Sequence, residues 1–159
     1  MGTWVDPQTW YARLASFYAT TAALITNEAA EVLLVKPNYR NHWAFPGGYV
    51  DAGEFPQEAC ARELHEELGL MLPIGALLVV DWAAPAGERP RALVSLTFDA
   101  GILTASGQIN LNSDELDELA FLAAGEAADR LPSAVAPRVD AALRARRHGA
   151  VYLPNEHIA

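Results

Sequence analysis

An α/β fold, a mixed β-sheet covered by helices, is the architecture this sequence predicts. Three observations point to it. Apolar runs of strand character lie on both sides of a central amphipathic helix at residues 55–68, a second helix follows near the C-terminus, and no repeat or linker divides the 159 residues. A chain of this length fits one domain with a substantial core.

The first element expected is an amphipathic helix over residues 6–18. Asp6 caps it, Pro7 takes the first position, and Trp10, Leu14, Phe17 and Tyr18 form an apolar stripe. Trp4 and Trp10 suit packing or a subunit contact better than base stacking, so a homodimer is one expectation. Residues 20–26 and 31–36 read as two strands of a hairpin, turning at 27–30. Residues 37–41 are a loop, and 43–45 lead into a glycine-rich segment.

The central stretch, residues 43–70, reads WAFPGGYVDAGEFPQEACARELHEELGL. Pro56 suits a first helical position, where its missing N–H is no loss, and Gly69 suits a left-handed stop. Phe55 falls at the N-cap, where Ser, Thr or Asp would be preferred, but Glu58 can reach back to the Phe55 N–H. Glu63, Glu66 and Glu67 then stand at i, i+3 and i+4 on one face, while Cys60, Ala61, Leu64 and Leu68 turn toward the core.

Like charges so spaced repel, and no lysine follows Lys36 to interleave with them. Arg62 is the only base in the segment, so a divalent cation resolves the conflict; Mg2+ is held by a few carboxylates, waters and phosphate oxygens. Gly47, Gly48 and Gly53 let the backbone approach a ligand closely, and a carbonyl at Gly47 or Gly48 can face the same space. Glu54 can meet Arg62 across the loop–helix junction and orient the acidic face.

Beyond the helix, residues 75–84 form a valine-rich strand, 84–90 a long turn, and 91–100 a strand antiparallel to the first. Residues 101–107 are a turn region, 112–118 an acidic connector and 119–123 a short apolar segment. From Gly125 the chain turns helical, with Pro132 separating a short helix from a longer one at 134–147. Its Arg138, Arg144, Arg146 and Arg147 favour the negative pole of the helix dipole and read as a solvated face. Gly149 stops that helix, and 151–153 form a last short strand or an extended tail.

With 52% apolar and 19% charged residues the composition is that of a soluble globular protein. No apolar run approaches the roughly 18 residues that span a membrane, and the N-terminus has neither the basic nor the apolar region of a signal peptide, so the cytoplasm is expected. Cys60, the single cysteine, reads as a small buried helix residue. A net charge of -9 disfavours nucleic-acid duplexes, which are bound through clustered Lys and Arg. A small phosphorylated substrate remains compatible when divalent metal stands between it and the carboxylates.

Residues 48–70 resemble the signature of the Nudix hydrolases, the MutT-like family: Gly-x5-Glu-x7-Arg-Glu-U-x-Glu-Glu-x-Gly-U, with U aliphatic, matches at every position from Gly48 to Leu70. The resemblance implies a single-domain α/β/α Nudix sandwich, with 1–18 as an N-terminal helical extension, 48–70 as the Nudix box and 133–147 as the C-terminal helix. It implies metal-dependent hydrolysis of a diphosphate linkage, with Mg2+, or Mn2+ in its place, held by Glu63, Glu66, Glu67 and the Gly47 carbonyl, and with Arg62 and Glu54 in support. A further glutamate outside the box often serves such enzymes as ligand or base. Glu115 is the first candidate, Glu118 the second and Asp114 the third, although the same acidic connector also suits a solvated turn.

Tyr39, Trp43 and Trp82 flank the loop and strand beside this site and could stack on a base or ribose, Trp82 suiting core packing better. His42 and His65 could contact phosphates; neither is assigned to catalysis. Family members that cleave ADP-ribose tend to carry a proline beyond the box, where Pro85 lies, though Pro85 also suits an ordinary turn. The tyrosine of the diadenosine polyphosphate hydrolases is absent from 86–88, and the upstream pattern of the coenzyme A enzymes is absent from LLVKPNYRNHWAFPGG. The expected substrate is a nucleoside diphosphate linked to another moiety, of ADP-ribose or nucleotide-sugar type. A nucleoside triphosphate such as oxidised dGTP is the alternative, and a nucleotide-sensing module without turnover is a third reading.

Overall fold

The computed structural model describes residues 4–104 and 108–155. Strand β1 (Phe17–Thr26) runs through its middle, and every residue from Thr21 to Thr26 is buried. Alternate side chains serve two cores: Ala22 and Leu24 pack in one cluster, Ala23 and Ile25 in the other. A strand covered on both faces needs apolar residues at successive positions, which is why this segment reads as a continuous run. Strand β2 (Val32–Pro37) follows the same rule, with Val32 and Leu34 on one side and Leu33 and Val35 on the other. The hairpin between them is tied by the Asn27 side chain, which accepts from the Ala29 and Glu31 N–H groups at 3.0 and 2.9 Å.

The remaining elements are α1 (Pro7–Ala12), α2 (Pro56–Leu68), β3 (Leu77–Ala83), β4 (Ala92–Ile102), β5 (Leu116–Leu122), α3 (Ala124–Arg130), α4 (Pro137–His148) and β6 (Val151–Asn155). Six strands form one mixed sheet in the order β5-β2-β1-β4-β3-β6. β1 pairs in parallel with β4, and β3 in parallel with β6, while the other neighbours are antiparallel. Helix α2 covers one face through Cys60, Leu64 and Leu68, and α4 covers the other through Val139, Ala142 and Ala145. The architecture is the expected three-layer α/β/α arrangement.

Helix α2 is built as its sequence suggests. Glu58 accepts from the Phe55 N–H at 3.1 Å, and Gly69 closes the helix in the left-handed conformation with φ 65°. On the core side Ala59, not Ala61, is the buried alanine.

Several expectations need correction. The N-terminal helix ends at Ala12, and Phe17 and Tyr18 belong to β1, opposite Ala92 and Leu93 of β4. A helix so short is marginal by itself, and aromatic and β-branched residues gain more from a sheet ladder. No residue of α1 is buried, so its stripe is not a packing face within this chain. Of the 1–18 segment, residues 1–3 lie outside the described residues, as do 105–107 of the turn region at 101–107. The acidic connector is shorter than expected, since residues 116–118 already belong to β5, with Leu116 opposite Pro37 and Glu118 opposite Lys36. The C-terminal helix starts at Pro137 instead of 133 or 134.

The arginines of α4 are not one solvated face. Arg138 donates to Asp81 of β3 at 3.0 Å with both side chains largely buried. Arg146 donates to Asp99 of β4, to Thr26 Oγ1 and to the Leu24 and Gly101 carbonyls. Only Arg144 and Arg147 are exposed. Buried carboxylates in apolar strands need a cationic partner, and that need outweighs the dipole preference of the helix terminus.

Candidate active site

The site begins with the glycine turn that packs between β1 and α2. The Pro46 and Gly48 carbonyls accept from the Ala23 and Thr21 N–H groups at 2.9 and 2.7 Å. The Gly47 carbonyl between them accepts no hydrogen bond among the described residues, and its N–H donates to Glu67 Oε2 at 2.9 Å. Gly47 has φ 138°, and a Cβ there would stand 2.3 Å from the Thr21 carbonyl oxygen. A Cβ on Gly48 would lie 2.3 Å from Glu63 Oε1. Close approach to the sheet backbone thus requires a glycine at 47, while at 48 a side chain would displace the Glu63 carboxylate.

The glutamates of α2 are not equivalent. Glu67 is only 6% exposed; burial, reinforced by the charges of Glu63, Glu115 and Glu66, pushes its carboxyl up to about 7 despite the Gly47 hydrogen bond. Burial likewise raises Glu63, with the Arg62 guanidinium opposing the shift. Glu66 stands half-exposed at the rim. A carboxylate that resists ionisation because it is buried among like charges is a group that a cation would stabilise.

Arg62 organises this face. Its Nε and Nη2 donate to the two oxygens of Glu54 at 2.9 and 3.1 Å, and Nη1 donates to Glu63 and Glu66 at 2.9 and 3.1 Å. Nη2 also donates to the Tyr49 carbonyl at 3.0 Å. The fork lowers the Glu54 carboxyl from its ordinary value and links the loop to the helix, as the spacing predicts.

Of the three acidic candidates beyond the box, the structure brings Glu115 to the site, where its charge acts on both Glu63 and Glu67. The Asn110 and Asn112 N–H groups donate to the Leu68 and Glu67 carbonyls at 2.8 and 2.9 Å, which fastens this loop to the end of α2. Glu118 lies on β5 opposite Lys36. Asp114 is exposed, its carbonyl accepting from the Asn38 side chain at 2.8 Å.

A cleft of about 420 Å³ opens beside Gly47, Gly48 and Glu67 and extends past Tyr39, His42 and Trp43 to Ser95, Val135 and Arg138. Tyr39 is exposed at its mouth with the Arg40 guanidinium 5.2 Å from the ring centroid; Trp43 is buried in its wall beneath Arg130. Trp82 does not line this cleft. It packs edge-on against Phe17 at 5.6 Å, a sheet-surface contact. His65 lies outside it as well, beside Met71.

Two residues of the cleft, Ser95 and Arg138, escaped the sequence reading. The available signal was Asp81, a lone acid in the apolar run LLVVDWA, which had to find a cation somewhere in the fold. Cys60 is fully buried and burial pushes its thiol up to about 12, in keeping with an inert core residue.

A family model of the NUDIX domain matches residues 17–144. The chain belongs to the Nudix family. Its Nudix fold is similar to that of the MutT protein from Methanosarcina mazei, with a TM-score of 0.70 and 24% identity over 84% of this chain and 97% of that one. An ADP-ribose pyrophosphatase from Streptococcus suis gives a TM-score of 0.64 at 22% identity, covering 87% of this chain and 99% of that one. An RNA pyrophosphohydrolase of Shewanella sediminis is 43% identical over 54 residues, which is 34% of this chain and 31% of the relative. The chain thus spans about a third of the length of that curated relative. No described helix is long and apolar enough to cross a membrane.

The Nudix residues fit a hard divalent cation in their chemistry: three carboxylates from one helix and a backbone carbonyl that no N–H claims. Among the described residues no three acidic, His or Cys side chains converge into a closed cage, because Glu63 and Glu66 lean on Arg62 instead.

Proposed function

We propose that this Nudix protein hydrolyses the pyrophosphate linkage of a nucleoside diphosphate joined to another moiety. The observation that carries this reading is the continuity between the buried Glu67, the Gly47–Gly48 turn and a nucleotide-sized cleft walled by Trp43. Glu63, Glu66, Glu67 and the Gly47 carbonyl would hold Mg2+ or Mn2+. The chemistry supplied by the ion there is neutralisation of phosphate oxygens and activation of water.

The chain's own residues do the positioning. Arg62 and Glu54 set the orientation of the α2 carboxylates, Gly48 leaves room for Glu63, and Glu115, whose charge acts on Glu63 and Glu67, would take the proton from the attacking water. Trp43 and Tyr39 offer ring faces to the nucleoside. A cytoplasmic setting and a homodimer belong to the same reading, the latter supported by the exposed Trp4, Trp10 and Tyr11.

A second reading, hydrolysis of nucleoside triphosphates, is supported by the fold likeness to the MutT protein. Turnover with Mg2+ across ADP-ribose, nucleotide sugars, dinucleotides, dNTPs and RNA bearing a 5′-triphosphate separates these substrates. No turnover on any of them would leave only nucleotide sensing. Glu66→Gln and Glu67→Gln are each expected to lower kcat at least about a hundredfold, since an ion-binding carboxylate is lost; full activity in either refutes the ion assignment.

A further inference from the structure

We propose that Arg138 is a specificity-determining residue that reads the nucleobase and selects a 6-oxopurine, guanine or hypoxanthine, over adenine. The inference rests on the nucleotide reading above and extends it to the far end of the same cleft.

Asp81 is 3% exposed in the apolar run of β3, and it takes one Arg138 Nη2 hydrogen at 3.0 Å. That bond fixes the guanidinium but does not satisfy it. Arg138 Nε is shut off from solvent without a partner, and Nη1 makes no hydrogen bond among the described residues although the side chain lines the cleft. An ion pair serving only to pin α4 to β3 would be expected to satisfy its donors, because an unpaired buried donor forfeits its hydration. Here Nη1 is left over on a side chain that lines a cavity.

The charge at this wall is already balanced by Asp81, so a second anion is not required; a neutral acceptor edge completes the hydrogen bonding. Guanine and hypoxanthine present O6 and N7 side by side, two acceptors that match the fork formed by Nη1 and the second Nη2 hydrogen. Adenine replaces O6 with an amino donor, which would face donor against donor and leave both unpaired. Leu93 and Val135 add apolar walls on which a purine ring can lie, next to Trp43. Glu67 and Arg138 reach the cleft from helices on opposite faces of the sheet. Phosphates placed at Glu67 therefore leave the base to lie toward Arg138.

Titration calorimetry of the full chain with GDP, IDP and ADP in the presence of Mg2+ tests this by binding, apart from turnover. GDP and IDP are expected to bind at least about tenfold more tightly than ADP. In the paired variant Arg138→Met with Asp81→Leu, which exchanges the ion pair for apolar groups of similar volume, the three should bind within about twofold of each other. Arg138→Lys, which keeps a charge for Asp81 and loses the fork, carries the same readout if the paired variant does not fold. Equal affinity for GDP and ADP in the parent protein overturns the proposal, as does a preference that survives in the variants or an absence of binding by all three nucleotides. A failed hydrolysis panel beside an intact guanine preference would instead remove the enzymatic reading and leave this one standing.

Discussion

Gly48 and Glu63 are in contact so close that a methyl group on the glycine would stand 2.3 Å from a carboxylate oxygen. The neighbouring Gly47 meets the backbone of β1 instead, with the Thr21 carbonyl oxygen at the same 2.3 Å from a built Cβ. Two adjacent glycines therefore fail differently. Gly48→Ala should be folded, with a melting temperature within a few degrees of the parent, but should lose at least about tenfold in kcat as Glu63 is displaced. Gly47→Ala combines a positive φ with a backbone clash and should cost about 2 kcal/mol or more of stability. Denaturant melts beside steady-state kinetics separate them; equal stability of the two variants would contradict this account.

Arg62 offers a second test. It bridges Glu54, Glu63, Glu66 and the Tyr49 carbonyl through one planar group. Lysine preserves the charge but has no fork, so Arg62→Lys should lower kcat or ion affinity about ten- to a hundredfold. Titration of activity against Mg2+ concentration reads both quantities, and an unchanged curve would show that the fork does not matter.

Glu67 makes the ion-free protein sensitive to pH. Its folded value of about 7 lies above the ordinary 4.5 because of burial, so the folded state binds its proton more tightly than the unfolded state does. The associated stability is fully present below about 4.5 and is lost as pH rises through about 7. At about 1.4 kcal/mol per unit the effect is of order 3 kcal/mol. In a chelator, the melting temperature should fall between pH 5 and pH 8 more steeply for the parent than for Glu67→Gln, and added Mg2+ should flatten the difference. Parallel profiles for the two proteins would count against the burial argument.

The arginines of α4 supply a stability comparison. Arg146 is largely buried and donates to Asp99, Thr26 and two carbonyls, so Arg146→Ala should destabilise by about 2–3 kcal/mol. Arg144 and its partner Asp140 are exposed, and Arg144→Ala should change stability by less than about 0.5 kcal/mol. Urea unfolding measures both; similar losses would mean that burial does not separate these pairs.

Much of the site is legible in the amino-acid sequence. Pro56, Glu58 and Gly69 mark α2 to within a residue because caps and stops act locally, between groups three or four positions apart. The offsets of Arg62, Glu63, Glu66 and Glu67 put their side chains on a shared helix surface for the same reason. Residues that answer to something distant are not legible in this way. Phe17 and Tyr18 looked helical until β4 was there to pair with them. Asp81 meets Arg138 and Asp99 meets Arg146 across separations of 57 and 47 residues, which no local pattern encodes.

By itself the amino-acid order determined the motif helix, its acidic face, the glycine turn that meets it and the family to which the chain belongs. Tertiary structure alone decided the parallel pairing of β1 with β4 and of β3 with β6, the approach of Glu115 in place of Glu118, and the appearance of Arg138 in the cleft. The division has a physical cause. Helix and turn geometry follow from short-range sterics and hydrogen bonds, whereas strand partners and buried ion pairs are settled by which distant surfaces can be desolvated together.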